Sequence, residues 1–182
     1  MQGLHTCTNC HSVSRDGKTM GLDVDGPRNN KGLYALFPIQ PEAAIRQEHV
    51  IEWSTFRGKL GGKMRVGFMS QVSPDGRHVV TMINDPGRGQ TDYQRRQSPE
   101  DLRQNFYVAN FTDYRFLQVF YPTRGILAWY SQATGMLTPL PGADDPAYVH
   151  TGATWSPDGK YLVFARAKAR DSYPPESTQA TY

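Results

Sequence analysis

Val72-Ser73-Pro74-Asp75-Gly76-Arg77 is a tight turn with apolar chain on either side. Pro74 presets φ, Asp75 can bond the backbone ahead of it, and Gly76 accepts a positive φ. Gly67-Phe68-Met69-Ser70 comes before it and His78-Val79-Val80-Thr81-Met82-Ile83 after it. The stretch therefore reads as the bend of a β-hairpin, not as a helix boundary. It also recurs, as Val13-Ser14-Arg15-Asp16-Gly17-Lys18 and as Trp155-Ser156-Pro157-Asp158-Gly159-Lys160. The third copy leads into the apolar run Tyr161-Leu162-Val163-Phe164. Such self-similarity marks a repeat architecture.

Composition agrees with a turn-rich β protein. The 182 residues can bury one sizeable core, and 38% hydrophobic content with 17 Gly and 13 Pro suits strands and turns better than a helical bundle. Twenty basic against 17 acidic side chains is too even a balance to point to nucleic acid. No apolar run approaches the roughly 20 residues of a membrane-spanning helix. The 10 Tyr, 8 Phe and 3 Trp fit strands without a special role.

The block Ser-Pro-Asp-Gly-Lys-x-apolar resembles the TolB-like and WD-repeat-like β-propellers, where it joins the first and second strands of a blade. The resemblance implies an all-β fold, a partial β-propeller of two four-stranded antiparallel blades and the opening hairpin of a third. Blade one falls at about 7–60, blade two at about 61–142 and the start of blade three at about 148–168, with 169–182 a linker or tail. Gly32 to Ile39 and Val50 to Trp53 are the expected third and fourth strands of blade one. Ile126 to Tyr130 and Met136 to Leu140 are those of blade two. The repeats start 59 and 83 residues apart, and the surplus lies around 84–124. There Pro86 to Gln97 reads as a polar loop, Ser98-Pro99-Glu100-Asp101 as a capped helix start, and Phe106 to Phe120 as one or two extra strands. Propellers close with roughly four to eight blades. The expectation is thus part of a larger propeller, or a ring completed by partner chains.

The only two cysteines stand in Cys7-Thr8-Asn9-Cys10-His11. Cys-x-x-Cys-His is the signature of covalent c-type haem attachment, in which two thiols add to the porphyrin vinyl groups and the histidine becomes the proximal iron ligand. One covalent haem c on Cys7, Cys10 and His11 is the expectation. Three alternatives rank behind it. A redox Cys-x-x-Cys usually opens a helix in a βαβ setting, which this sequence lacks. A zinc site needs a fourth ligand, for which His5 is available. A disulfide across two residues is strained. Haem c is assembled outside the cytoplasm, so a periplasmic or otherwise extracytoplasmic location is expected, with a leader ahead of this numbering.

Counting back from each turn sets Cys10 opposite Met69 and Gly152, and His11 opposite Ser70 and Ala153. The haem motif then sits at the start of the innermost strand of blade one, not on a helix as in small cytochromes. For the sixth iron ligand Met69 has the best geometric argument, as the start of the corresponding strand of the next blade. Its competing role is core filler. Met64, Met20, Met82, His5 and His150 are the other candidates, with Met82 and His150 expected to be structural. His49 and His78, in expected strands, are read as bland. Asp23-Val24-Asp25-Gly26-Pro27-Arg28-Asn29-Asn30 spaces oxygen side chains like a calcium loop but lacks the terminal bidentate Glu, and it fits a hairpin loop equally well.

Three functions follow. The first is electron transfer by a haem-bearing propeller to a redox partner protein or other subunits of a complex. The second is a haem-dependent enzyme with an open iron position, for which Arg28, His150 and Asp144-Asp145 are the available polar groups. The third is a non-catalytic binding scaffold. Electron transfer is preferred, because no strong acid–base constellation accompanies the motif.

Overall fold

A computed structural model describes residues 11–26, 30–53, 67–83, 106–110, 118–122 and 125–169. The described chain is all-β, without an α-helix. The first sheet is an antiparallel meander of β1 (Ser12–Val13), β2 (Thr19–Gly26), β3 (Asn30–Pro38) and β4 (Val50–Glu52). The second has the order β10-β9-β6-β5, built from β5 (Phe68–Val72), β6 (His78–Ile83), β9 (Ile126–Ser131) and β10 (Met136–Pro139). Between β6 and β9 the chain forms a separate hairpin of β7 (Phe106–Asn110) and β8 (Gln118–Pro122), which accounts for the extra strands expected there. The last pair is β11 (Tyr148–Trp155) and β12 (Leu162–Lys168). The capped helix start expected at Ser98 lies outside the described residues. His49, expected in a strand, instead closes a 3-10 turn, Gln47–His49, where its Nδ1 accepts from the Arg46 N–H at 3.0 Å.

The three Ser-x-Asp-Gly turns are built identically. In the second, Ser73 Oγ donates to Asp75 Oδ1 at 2.5 Å, the Arg77 N–H donates to the same oxygen at 3.0 Å, and the His78 N–H donates to Ser73 Oγ at 2.9 Å. Ser14, Asp16, Lys18 and Thr19 repeat this pattern, as do Ser156, Asp158, Lys160 and Tyr161. Gly17, Gly76 and Gly159 all take φ of 70–72°, where a side chain would be strained. These bonds hold the carboxyls of Asp16 and Asp158 below the usual range, the serine hydroxyl contributing most. For Asp75 partial burial is the largest influence and opposes this, but the Ser73 and Arg77 donors outweigh it.

The sheets pack face to face. Alternation along β6 sends Val79 and Ile83 one way and Val80 and Met82 the other, and both faces are covered. The first set joins Ile126, Ala128 and Leu137 against Tyr34, Leu36, Ile51 and Trp53 of the first sheet. The second set, with Leu127 and Ala143, meets Val149 and Ala153 of β11. The second sheet is therefore the middle layer of three.

Candidate functional site

β1, β5 and β11 lie beside one another where the three sheets meet. Ser12 Oγ of β1 accepts from the Val72 N–H of β5 at 2.8 Å. Trp155 Nε1 of β11 donates to the Gln71 carbonyl at 3.3 Å. At their ends the turns also meet: the Arg15 N–H donates to Pro74 O at 2.9 Å, and Arg15 Nη1 to Pro157 O at 3.2 Å. The three strands thus run the same way and end at one cluster of turns. Their starts form the opposite rim.

Met69 lies on that rim. It is the only non-glycine with positive φ among the described residues, at 53°. The register of β5 on β6 slips between Phe68 and Gln71, so Met69 occupies a bulge. β11 bulges likewise between Thr151 and Thr154, and there Gly152 takes φ of 63°. Both residues stand four before the turn serine, as the sequence alignment required. A left-handed methionine costs about 1–2 kcal/mol, and glycine avoids this cost. Met69 is nevertheless 38% exposed. Its sulfur accepts from Thr151 Oγ1 at 3.7 Å, a neighbour across the sheet boundary. Core filler is therefore not its role.

His11 precedes β1 at the same rim, three residues before its turn serine. It is exposed, and among the described residues its imidazole has no hydrogen-bond or ion-pair partner. Its equivalents are buried because a sheet packs on them: Ser70 bonds Thr81 Oγ1 at 2.8 Å and Asp23 Oδ1 of the first sheet at 3.3 Å, and Ala153 sits in the β11 core. An exposed, unengaged imidazole after Cys10 and an exposed thioether on the adjacent strand are the donors that a haem iron takes. Cys7, Cys10, His5 and Met64 lie outside the described residues.

The remaining candidates separate by burial. Met82 is packed in the β11 core, and Met20 packs beside Leu22 and Phe37. His78 stacks on Trp129 with centroids 5.2 Å apart and planes 17° from parallel, a contact that sequence reading missed. In the calcium-like segment Asp23 accepts from Ser70, while Pro27, Arg28 and Asn29 lie outside the described residues. Asp144 and Asp145 accept from the Gly142 and Ala147 N–H groups of their own loop, at 3.2 and 2.9 Å.

His150 stands apart. It is fully buried, and neither Nδ1 nor Nε2 has a hydrogen-bond partner. Phe164 meets its ring edge-on at 5.6 Å and Tyr148 lies at 6.3 Å, while Arg166 is its cross-strand partner. Burial first, and then the Arg166 charge, push its pKa down. Its main-chain N–H donates to Gly125 O at 3.0 Å, and the Gly125 backbone, with Asp145 and Asp144, pulls the imidazole more weakly the other way. It is held inside the packing between strands, away from the rim.

Comparison with models of protein families and with curated proteins gives no match to this chain. Among the described residues no helix is long and apolar enough to cross a membrane.

Proposed function

We propose that this chain is part of a β-propeller that carries one covalent haem c and transfers single electrons outside the cytoplasm, to a redox partner protein or to other subunits of a complex. One observation carries the reading: Cys7 to His11 runs directly into β1, the strand of the first sheet that bonds to β5 of the second. Three layered antiparallel sheets with a repeated first turn are what two blades and the opening hairpin of a third require.

In this reading Cys7 and Cys10 hold the haem by thioether bonds. His11 and Met69 would be the residues that ligate its iron. The bound group supplies a reversible one-electron couple. The chain supplies position. β1 and β5 are bonded at Ser12 and Val72, with His11 just ahead of β1 and Met69 near the start of β5. Thr151 Oγ1 of β11 lies 3.7 Å from the Met69 sulfur.

The test is expression with an export leader and the haem c maturation machinery. Denaturing electrophoresis with haem staining and a pyridine haemochrome spectrum follow. One haem per chain is expected, lost in Cys10→Ala. Absence of covalent haem from the natural chain removes the reading. A high-spin ferrous spectrum with ready CO binding replaces electron transfer by catalysis at an open iron position.

A further inference from the structure

At the turn end, opposite Met69, a cleft of about 390 Å³ opens between the second sheet and the β11–β12 hairpin. That is within the size range of small-molecule sites. We propose that it binds a neutral, polyhydroxylated ring, a single sugar unit of a saccharide.

The flat surface comes from Trp129. This indole is 37% exposed, whereas Trp53 is fully buried, and its stack on His78 fixes its plane. Trp129 and His78 lie on the same face of the second sheet as Val80, Met82 and Leu127, which β11 covers further along. Where that cover stops, the aromatic pair lines the cleft beside Trp155. His78 covers one indole face, and the other suits the apolar C–H face of a sugar ring, its ordering entropy already spent.

The polar groups suit hydroxyls. Asp75 and Asp158 each commit Oδ1 to their own turn, and among the described residues no hydrogen bond occupies Oδ2. Arg15 commits Nη1 to Pro157 O, which leaves its other N–H groups. Carboxylates only accept and guanidinium only donates, while a hydroxyl does both, so neighbouring hydroxyls can bridge the two kinds. In the lining two carboxylates face Arg15, and Lys160, just outside it with Nζ 4.0 Å from Asp158 Oδ2, offsets the second carboxylate. A charged ligand gains no net attraction from such a lining. Arg15 is also where the repeat departs from itself, since the other two turns place Pro74 and Pro157 at this position.

The experiment titrates the full chain with glucose, galactose, N-acetylglucosamine and cellobiose, with tetramethylammonium and sulfate as charged controls. Tryptophan fluorescence and saturation-transfer NMR are the readouts. A saturable fluorescence change with at least one sugar is expected, with saturation transferred to its ring protons. Trp129→Leu and Arg15→Lys each weaken that sugar's binding about ten-fold. Arg15→Lys keeps the main-chain bond to Pro74, so it reports on binding where Trp129→Leu alters folding. No saturable response to any of the four sugars overturns the proposal. So does unchanged affinity in Arg15→Lys, or a charged control that binds more tightly than every sugar.

Discussion

Replacing His150 by leucine should stabilise the protein and remove much of its sensitivity to mild acid. The imidazole is fully buried with both nitrogens unpartnered, and an unmade bond of this kind costs about 1–3 kcal/mol. Leucine has similar volume and carries no polar atom, so about 1–2 kcal/mol of stabilisation is expected at pH 8 after allowance for imperfect packing. The pH arm has a definite sign. Burial and the Arg166 charge hold the folded imidazole below its ordinary range, while Asp144 and Asp145 pull less strongly the other way. The unfolded chain takes up a proton near pH 6.5, before the folded one does. Stability from this group is therefore complete above that value and lost as pH falls below it. The slope approaches about 1.4 kcal/mol per pH unit until the folded group also titrates.

Urea denaturation of natural and His150→Leu protein at pH 8.0, 7.0, 6.0 and 5.5 reads both effects. The natural protein should lose stability over the lower steps, and the variant should lose less by an amount that grows as pH falls. Parallel curves for the two proteins refute the argument, because they mean that His150 gains no proton on unfolding. A leucine variant less stable at pH 8 refutes it from the other side, since the imidazole must then make a favourable contact.

Two further substitutions test the sheet packing and the rim. A Cβ at Gly21 would overlap the Tyr34 hydroxyl and lie 2.6 Å from Val72 Cγ2, where both neighbours are buried, so Gly21→Ala should cost about 1–3 kcal/mol in urea denaturation; an unchanged midpoint contradicts the close approach of the first two sheets. Met69→Gly should leave the haem-free protein as stable or about 1 kcal/mol more so, through relief of left-handed strain, while the haem-loaded protein loses its low-spin six-coordinate spectrum; an unaltered spectrum removes Met69 from the iron.

The turns were legible because their chemistry is local. Each Ser-x-Asp-Gly closes with bonds spanning two to five residues, so the residues that make the structure stand side by side in the sequence. The strands followed from the apolar runs around them. The β7–β8 hairpin was legible as extra strand but not as a separate sheet, since that depends on pairing partners far along the chain. Distance also hid the contacts at the sheet boundaries. Ser70 meets Asp23 across 47 residues, and Arg15 reaches Pro157 across 142, without any local pattern to announce them. In the candidate site Cys-x-x-Cys-His stood out from its letters, and alignment on the turns matched Met69 to Gly152, the position at which both strands bulge. Its backbone conformation left no trace, because methionine is not a residue that signals positive φ. His150 was read as structural, which its burial supports, but nothing nearby in sequence foretold two orphaned nitrogens.

Departures from the repeat are informative because the repeat itself supplies the control. Gly152 performs the bulge with no side chain, so the backbone at that position requires only a left-handed residue. Met69 performs the same bulge and keeps an exposed thioether despite the strain. A residue retained at a conformational cost, where a cheaper one serves the next sheet, points to work done by its side chain. In the sequence of the first repeat the position four before the turn serine is Cys10. The other end of the strands repeats the lesson: proline serves two turns at the position before Asp, and the first has Arg15, whose N–H and guanidinium tie three turns together. Both proposed sites thus fall where equivalent positions share one backbone role and differ in side chain. An iron ligand at one rim and a hydroxyl donor at the other are the chemistry those differences add.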